Sequence, residues 1–232
     1  MSGILYLLPT PLGETEQAWL LSQDIAKIKP ITHFIVEEAK TARRHLKLLN
    51  LDNPIQSLHF SILNEHTNTS DLSEMLSPLL NGYDVALMSE AGCPAVADPG
   101  AAIVALAHKH NIKVEPLVGP SSLLLALMSS GANGQSFAFN GYLPADSDGR
   151  IKALKNLERK ALNGESQIFI ETPYRNMSIL NDAIRVLSPQ TTLCIAADIS
   201  LPSQIIMVKT IDEWKKNPLP DFKKRPCVFI VY

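Results

Sequence analysis

The sequence predicts an α/β protein whose first half is built on a mostly parallel sheet. Short β-branched or aromatic runs alternate there with stretches of helical period, the order expected when a helix returns the chain between parallel strands. Val85–Met88 is apolar at every position, as a strand covered on both faces must be. Proline and glycine follow several of these strands and mark where the chain leaves the sheet.

Ile4–Leu8 reads as a first strand, closed by Pro9 and Pro11. Glu14–Ile28 reads as a helix with Trp19, Leu20, Ile25 and Ile28 on its apolar side, and Pro30 ends it. His33–Val36 is a second strand, Thr41–Leu49 a second helix, and Asp71–Leu80 a third helix before the turn Asn81-Gly82. After Val85–Met88 and Asp98-Pro99-Gly100 come a helix, Ala101–His110, a strand, Lys113–Leu117, and a strongly apolar helix, Ser121–Ser130, stopped by Gly131.

Past Gly131 and Gly134 the pattern changes. Phe137–Phe139 and Ile168–Ile170 read as strands, with a basic helix Arg150–Leu162 between them and a further helix Arg175–Leu187 after them. Leu193–Ala197, Ile205–Val208 and Cys227–Val231 complete a mixed, sheet-rich end, with a short helix around Trp214. A domain boundary is expected near residues 131 to 136, dividing the chain into 1–133 and 134–232.

Composition excludes several classes. Hydrophobic residues make up 46% and charged residues 19% of the 232, which is material for a buried core rather than a disordered or fibrous chain. No apolar run approaches the roughly 18 to 20 residues of a membrane helix, and the start lacks the features of a signal peptide, so a cytoplasmic protein is expected. Cys93, Cys194 and Cys227 are too far apart for a CxxC pair, so reduced thiols are expected and no zinc knuckle. His108 and His110 diverge on a helix, so no metal site is expected from them. The net charge of −2 conceals a split. Residues 1–115 carry 8 Lys/Arg against 13 Asp/Glu, and the remainder carries 13 against 10, with Arg150, Lys152, Lys155, Arg159 and Lys160 on one helix and Lys223, Lys224 and Arg225 in a late loop. Those clusters read as solvated surface or as a nucleic-acid footprint.

The central segment Ser89-Glu90-Ala91-Gly92-Cys93-Pro94-Ala95-Val96-Ala97-Asp98-Pro99-Gly100 follows a buried strand and precedes a helix, where parallel α/β sheets bind ligands. Taken singly it is equally an ordinary loop with a helix cap at Asp98. Pro9-Thr10-Pro11-Leu12-Gly13 and Gly119-Pro120-Ser121-Ser122 leave their strands in the same manner, so three loops are expected to converge on one crevice. The common alternatives lack their fingerprints: there is no GxGxxG, no GxxxxGK[ST] and no GxSxG.

Five segments in order, PTPLG, SEAGCPAVADPG, VGPSS, GYLPA and ETPYR, make the chain resemble the tetrapyrrole (corrin/porphyrin) methylase family, and within it the branch that methylates a ribose 2′-hydroxyl of small-subunit ribosomal RNA. The resemblance implies a two-domain α/β fold, a mostly parallel N-terminal sheet with a mixed C-terminal domain, S-adenosylmethionine in the interdomain cleft (released as S-adenosylhomocysteine), and a homodimer. It implies cofactor contacts at Pro9, Glu90, Gly92, Cys93, Val96, Ser121, Ser122, Tyr142, Leu143, Glu171 and Ala197. A base that deprotonates the acceptor hydroxyl is sought at Glu37, Glu38 or Glu65, with Lys40 beside Glu37 as the accompanying positive charge. The implied partner is ribosomal RNA or the small ribosomal subunit.

Three departures from the family pattern stand out. Lys40 replaces the arginine of a Glu-Asp-Thr-Arg block and lacks its bidentate fork. Glu90 replaces an aspartate in the central loop, and Ala197 replaces an arginine near the late strand. These leave room for two other readings, C-methylation of a porphyrin or corrin intermediate and a cofactor-binding relative without catalysis.

Overall fold

The computed structural model describes residues 2–64 and 67–232. The chain divides into two compact units, Met1–Ser121 and Ser122–Tyr232.

The first unit runs β1 (Ile4–Leu8), α1 (Ser22–Ile28), β2 (His33–Val36), α2 (Ala39–Lys47), a 3-10 turn (Ile55–Ser57), β3 (His59–Ile62), α3 (Thr69–Met75), α4 (Ser77–Leu80), β4 (Val85–Met88), α5 (Ala101–Lys109) and β5 (Lys113–Pro116). Its five strands are all parallel, in the order β3-β2-β4-β1-β5. Side chains alternate between two cores, as the two-residue period of a strand requires. Tyr6, Leu8, Phe34, Val36, Ala86 and Met88 meet Ile28 of α1 and Ala42 and Leu46 of α2. Leu5, Ile35, Val85 and Leu87 meet Leu76, Leu79, Ile103 and Ala107 of α3 to α5. The chain therefore leaves β1 along one face and the adjacent β4 along the other. That divergence makes the switch point at which open α/β sheets form a crevice.

Three local expectations change. The helix expected from Glu14 begins only at Ser22, because Trp19 donates its indole N–H to the Pro9 carbonyl at 2.7 Å and Thr15 Oγ accepts from the Gln17 amide. Both contacts hold the segment off helical geometry. The helix expected over Asp71–Leu80 is two helices, with Pro78 in the first turn of the second, where its missing N–H does least harm. β3 escapes the sequence pattern because its alternation, Phe60 and Ile62 between His59 and Ser61, spans only four residues of a part-exposed edge strand; its pairing with β2 makes it a strand.

The second unit runs α6 (Ser122–Ser130), β6 (Phe137–Tyr142), α7 (Ser147–Ala161), β7 (Ser166–Glu171), α8 (Asn176–Val186), β8 (Thr192–Ala197), β9 (Ile205–Thr210), α9 (Ile211–Lys216) and β10 (Cys227–Val231). The sheet order is β6-β7-β10-β8-β9, with β6 and β7 parallel and the other pairs antiparallel. The division expected at 133/134 falls beyond the apolar helix α6. In the structure α6 packs on β8, β9 and β10, which groups it with the second sheet. Phe169 and Phe229 stack at 5.2 Å in the core, and buried Trp214 donates to the Leu193 carbonyl at 3.1 Å.

The basic helix needs one correction. Arg150 is not part of a solvated cationic face: it is buried and paired with Asp182, and it also donates to the Ala145 carbonyl at 2.8 Å and to Ser178. Lys152, Lys155 and Arg159 remain exposed. Asp182 keeps the more exposed Arg185 at 2.6 Å but loses its buried partner, so Arg150→Gln is expected to cost about 1–3 kcal/mol in urea unfolding. Lys152→Gln on the same helix should stay within about 0.5 kcal/mol of the parent.

Candidate functional site

The carboxyl ends of β4, β1 and β5 lie side by side, so the three glycine- and proline-bearing loops leave one edge of the first sheet. They are bonded to one another. Thr10 and Gly92 exchange backbone hydrogen bonds of 2.9 and 3.1 Å, Thr10 Oγ1 donates to the Ser89 carbonyl, and Cys93 Sγ donates to the Pro120 carbonyl at 3.4 Å. Gly119 approaches Pro9 so closely that a β-carbon there would sit 2.3 Å from the proline Cβ. Gly92 holds φ at 83°, a region open to glycine. The structure thus brings Pro9, Gly92 and Cys93 together with Gly119 and Pro120.

The central loop carries strain. Ala95 and Ala97 have φ of 66° and 58°, conformations that L-residues adopt at a cost and that concentrate at functional loops. Asp98 is not the cap of α5, a place taken by Gly100 without a side-chain bond; its carboxylate accepts the Gly100 amide at 2.9 Å and closes the preceding turn. Burial pushes its carboxyl up from the usual aspartate range, against the lowering effect of the Gly100 and Ala95 amides. Burial also pushes the Cys93 thiol up, which keeps it neutral. Glu90 and Val96 are exposed.

At the end of the neighbouring strand β2, the candidates separate by role. Glu38 is the cap of α2: its carboxylate accepts the Lys40 amide at 2.8 Å and the Thr41 amide at 2.6 Å. Those two backbone bonds lower its pKa. Glu37, one residue earlier, is half-buried, and Lys40 is exposed on the first turn of the helix. Val36 pairs with Met88, so this turn lies beside the start of the central loop. Glu65 lies outside the described residues.

In the second unit, Tyr142, Glu171 and Ala197 are the last residues of β6, β7 and β8, three strands that point the same way. Glu171 and Ala197 flank Cys227 in one register row. Leu143 follows Tyr142 into the core. Glu171 is fully buried: Oε1 accepts from the Thr172 amide and from Arg175 at 2.5 Å, while Oε2 has no hydrogen-bond partner among the described residues. Ser121 closes the first unit and Ser122 opens α6 in the second.

Sequence reasoning missed a basic surface. Lys40, Arg43, Arg44 and Lys47 line a groove of about 610 Å³ along α2, with Glu38 and Thr41 at its head. Their spacing of three, four and seven residues places them on one helical face, a signal present in the sequence but masked by the acidic balance of the first half.

The residues at 34–215 match the family model described as Tetrapyrrole (Corrin/Porphyrin) Methylases. Among curated relatives, the chain is 29% identical over 197 residues to the Ribosomal RNA small subunit methyltransferase I of Vibrio cholerae serotype O1, covering 85% of this chain and 65% of that one. It is 31% identical over 198 residues to the protein of the same name from Escherichia coli O157:H7, covering 85% and 66%. The chain therefore spans just under two thirds of the length of these relatives. Among solved structures it is similar to the methyltransferase CobJ, with a TM-score of 0.66, 17% identity and 99% and 94% of the two chains covered. It is also similar to a uroporphyrin-III-C-methyltransferase from Thermus thermophilus, with a TM-score of 0.57, 16% identity and 100% and 92% covered.

Two measurements follow from the geometry. Ala95→Gly removes a left-handed strain worth about 1–2 kcal/mol at an entropic cost of about 0.5–1 kcal/mol. The variant should therefore gain up to about 1.5 kcal/mol in thermal or urea unfolding. The lowered Glu38 pKa has the sign of a cap that stabilises fully above the unfolded glutamate value and fades as pH falls through the folded one. Urea unfolding across the acid range should show that slope in the parent and a smaller one in Glu38→Gln.

Proposed function

Because the chain belongs to the tetrapyrrole methylase family, we propose that it is an S-adenosylmethionine-dependent methyltransferase whose acceptor is a ribose 2′-hydroxyl of small-subunit ribosomal RNA. The observation that carries the reading is the bonded cluster of three loops at the β1/β4 switch point. The identity to two proteins named as ribosomal RNA small subunit methyltransferases supports the acceptor class. Likeness to the CobJ and uroporphyrin enzymes, at 16–17% identity, bears on architecture alone.

The residues present fit such a donor. Glycine at 92 leaves the backbone open to close approach, and Glu171 offers a buried carboxylate oxygen that has no donor among the described residues. Pro9, Glu90, Gly92, Cys93, Val96 and Ser121 are proposed contacts from the first unit, and Ser122, Tyr142, Leu143, Glu171 and Ala197 from the second. When bound, S-adenosylmethionine supplies an electrophilic methyl carried on a sulfonium. The chain's own part is to hold the hydroxyl oxygen in line, which supplies much of the rate through orientation, and to take its proton. Glu37 is proposed as that base, and Lys40 as the charge that holds the acceptor beside it. Glu38 is less suited because its carboxylate is committed to capping α2.

The reading includes a cytoplasmic homodimer. Among the described residues no helix is long and apolar enough to cross a membrane, and sedimentation tests the dimer.

Titration calorimetry is expected to show donor binding, and labelled donor should transfer its methyl to purified small-subunit RNA or the subunit. Absence of both overturns the reading. Transfer to a tetrapyrrole precursor instead would move the acceptor, and donor binding without turnover on any acceptor would leave a non-catalytic relative. Gly119→Val, which forces Pro9 away, should weaken donor binding roughly tenfold or more, about 1.4 kcal/mol. Glu37→Gln should bind donor normally and lose roughly 10²–10⁴ in kcat.

A further inference from the structure

We propose that the exposed face of α2 is the docking surface for the phosphodiester backbone of the RNA acceptor, with Arg43 and Lys47 as its principal contacts. The inference rests on the RNA reading above and adds the place on the chain where the polyanion is held.

Four observations carry it. The first is concentration: residues 1–121 contain eight Lys/Arg against thirteen Asp/Glu, and four of the eight are Lys40, Arg43, Arg44 and Lys47. In a unit of net negative charge, half the cations stand on one two-turn face. The second is shape, since all four line the same groove of about 610 Å³. At 1.5 Å rise per residue they extend along roughly 10 Å, a linear array that matches a chain of phosphates better than one compact anion. The third is position. The helix starts from the carboxyl end of β2, next to β4 and its loop, so the array begins at Glu37 and Lys40 and runs away from the proposed site of chemistry. The fourth is the state of the side chains. Arg43 lies over the Phe60 ring at 4.7 Å from its centroid, a contact that orders a guanidinium without neutralising it.

Complementing the helix dipole accounts for basic residues in the last turn, which here covers Arg44 and Lys47. It does not account for Lys40 in the first turn or for Arg43. Arg44 pairs with Glu14 at 3.3 Å, with both side chains exposed, and Lys40 lies close enough to Glu38 to help lower its pKa. Glu38, the acid at the head of the groove, is spent on the backbone amides of the cap.

The test is the salt dependence of binding to a fluorescently labelled single-stranded oligonucleotide of small-subunit ribosomal RNA, read by anisotropy. Each phosphate contact contributes about 0.7 to the slope of log affinity against log salt for a single strand. Arg43→Gln/Lys47→Gln is expected to flatten the slope by roughly 1.4, while donor binding by calorimetry stays at the parental value, which shows the loops and fold intact. Lys152→Gln/Lys155→Gln on α7 should leave the slope unchanged. An unchanged slope in the α2 variant, or a loss that follows the α7 variant instead, overturns this inference and leaves the RNA acceptor standing. Failure of the parent protein to bind the oligonucleotide or the intact small subunit at any salt overturns both.

Discussion

The three inner strands of the first sheet, β2, β4 and β1, are buried between two helical layers and impose one constraint on everything else in the first unit. Their backbone bonds are consumed within the sheet and their side chains within two cores, so only the ends of the strands have polar backbone groups left for other partners. Parallel pairing collects the carboxyl ends of β4, β1 and β5 on one edge, and the opposite departures from β1 and β4 part the loops there. The loops are fastened rather than free: Thr10 bridges Gly92, Cys93 donates to the Pro120 carbonyl, and Gly119 lies against Pro9. Strain at Ala95 and Ala97 is tolerated because the surrounding loop is overdetermined by these bonds.

Charge is distributed by task. Residues that look alike in a count of Lys and Arg divide into those that hold the fold and those that face solvent. Arg150 secures α7 to α8 through Asp182, and Arg225 secures the loop before β10 through Asp198 and the Ser203 carbonyl. Both are mostly withdrawn from water, where a cation persists only with its partner. The α2 array is exposed in a unit of the opposite net sign, so its cost is small and its field is available to a ligand.

Carboxylates show the same division. Glu38 is saturated by backbone amides and serves the helix. Glu171 satisfies one oxygen through Thr172 and Arg175 and leaves the other buried with no donor among the described residues, an arrangement proteins seldom keep without use. It lies on an edge of the second sheet where β6, β7 and β8 all end, the counterpart of the loop edge in the first.

By itself the sequence determined the α/β class, the buried strands Ile4–Leu8, His33–Val36, Val85–Met88 and Cys227–Val231, the three loops, and the family resemblance. Each rests on local information, whether apolar runs, prolines and glycines after strands, or motifs in order. Only the tertiary structure decided what depends on distant partners. β3 exists because β2 pairs with it, and the helix before Ser22 is lost because the Trp19 indole reaches the Pro9 carbonyl. Arg150 is buried because Asp182 lies within reach, and α6 joins the second unit because its apolar surface is covered by β8, β9 and β10. The basic face of α2 is legible in the spacing of four residues, whereas its position beside the central loop is set by the pairing of β2 with β4. Periodicity records which residues share a face; what that face meets is set by contacts between residues far apart in the chain.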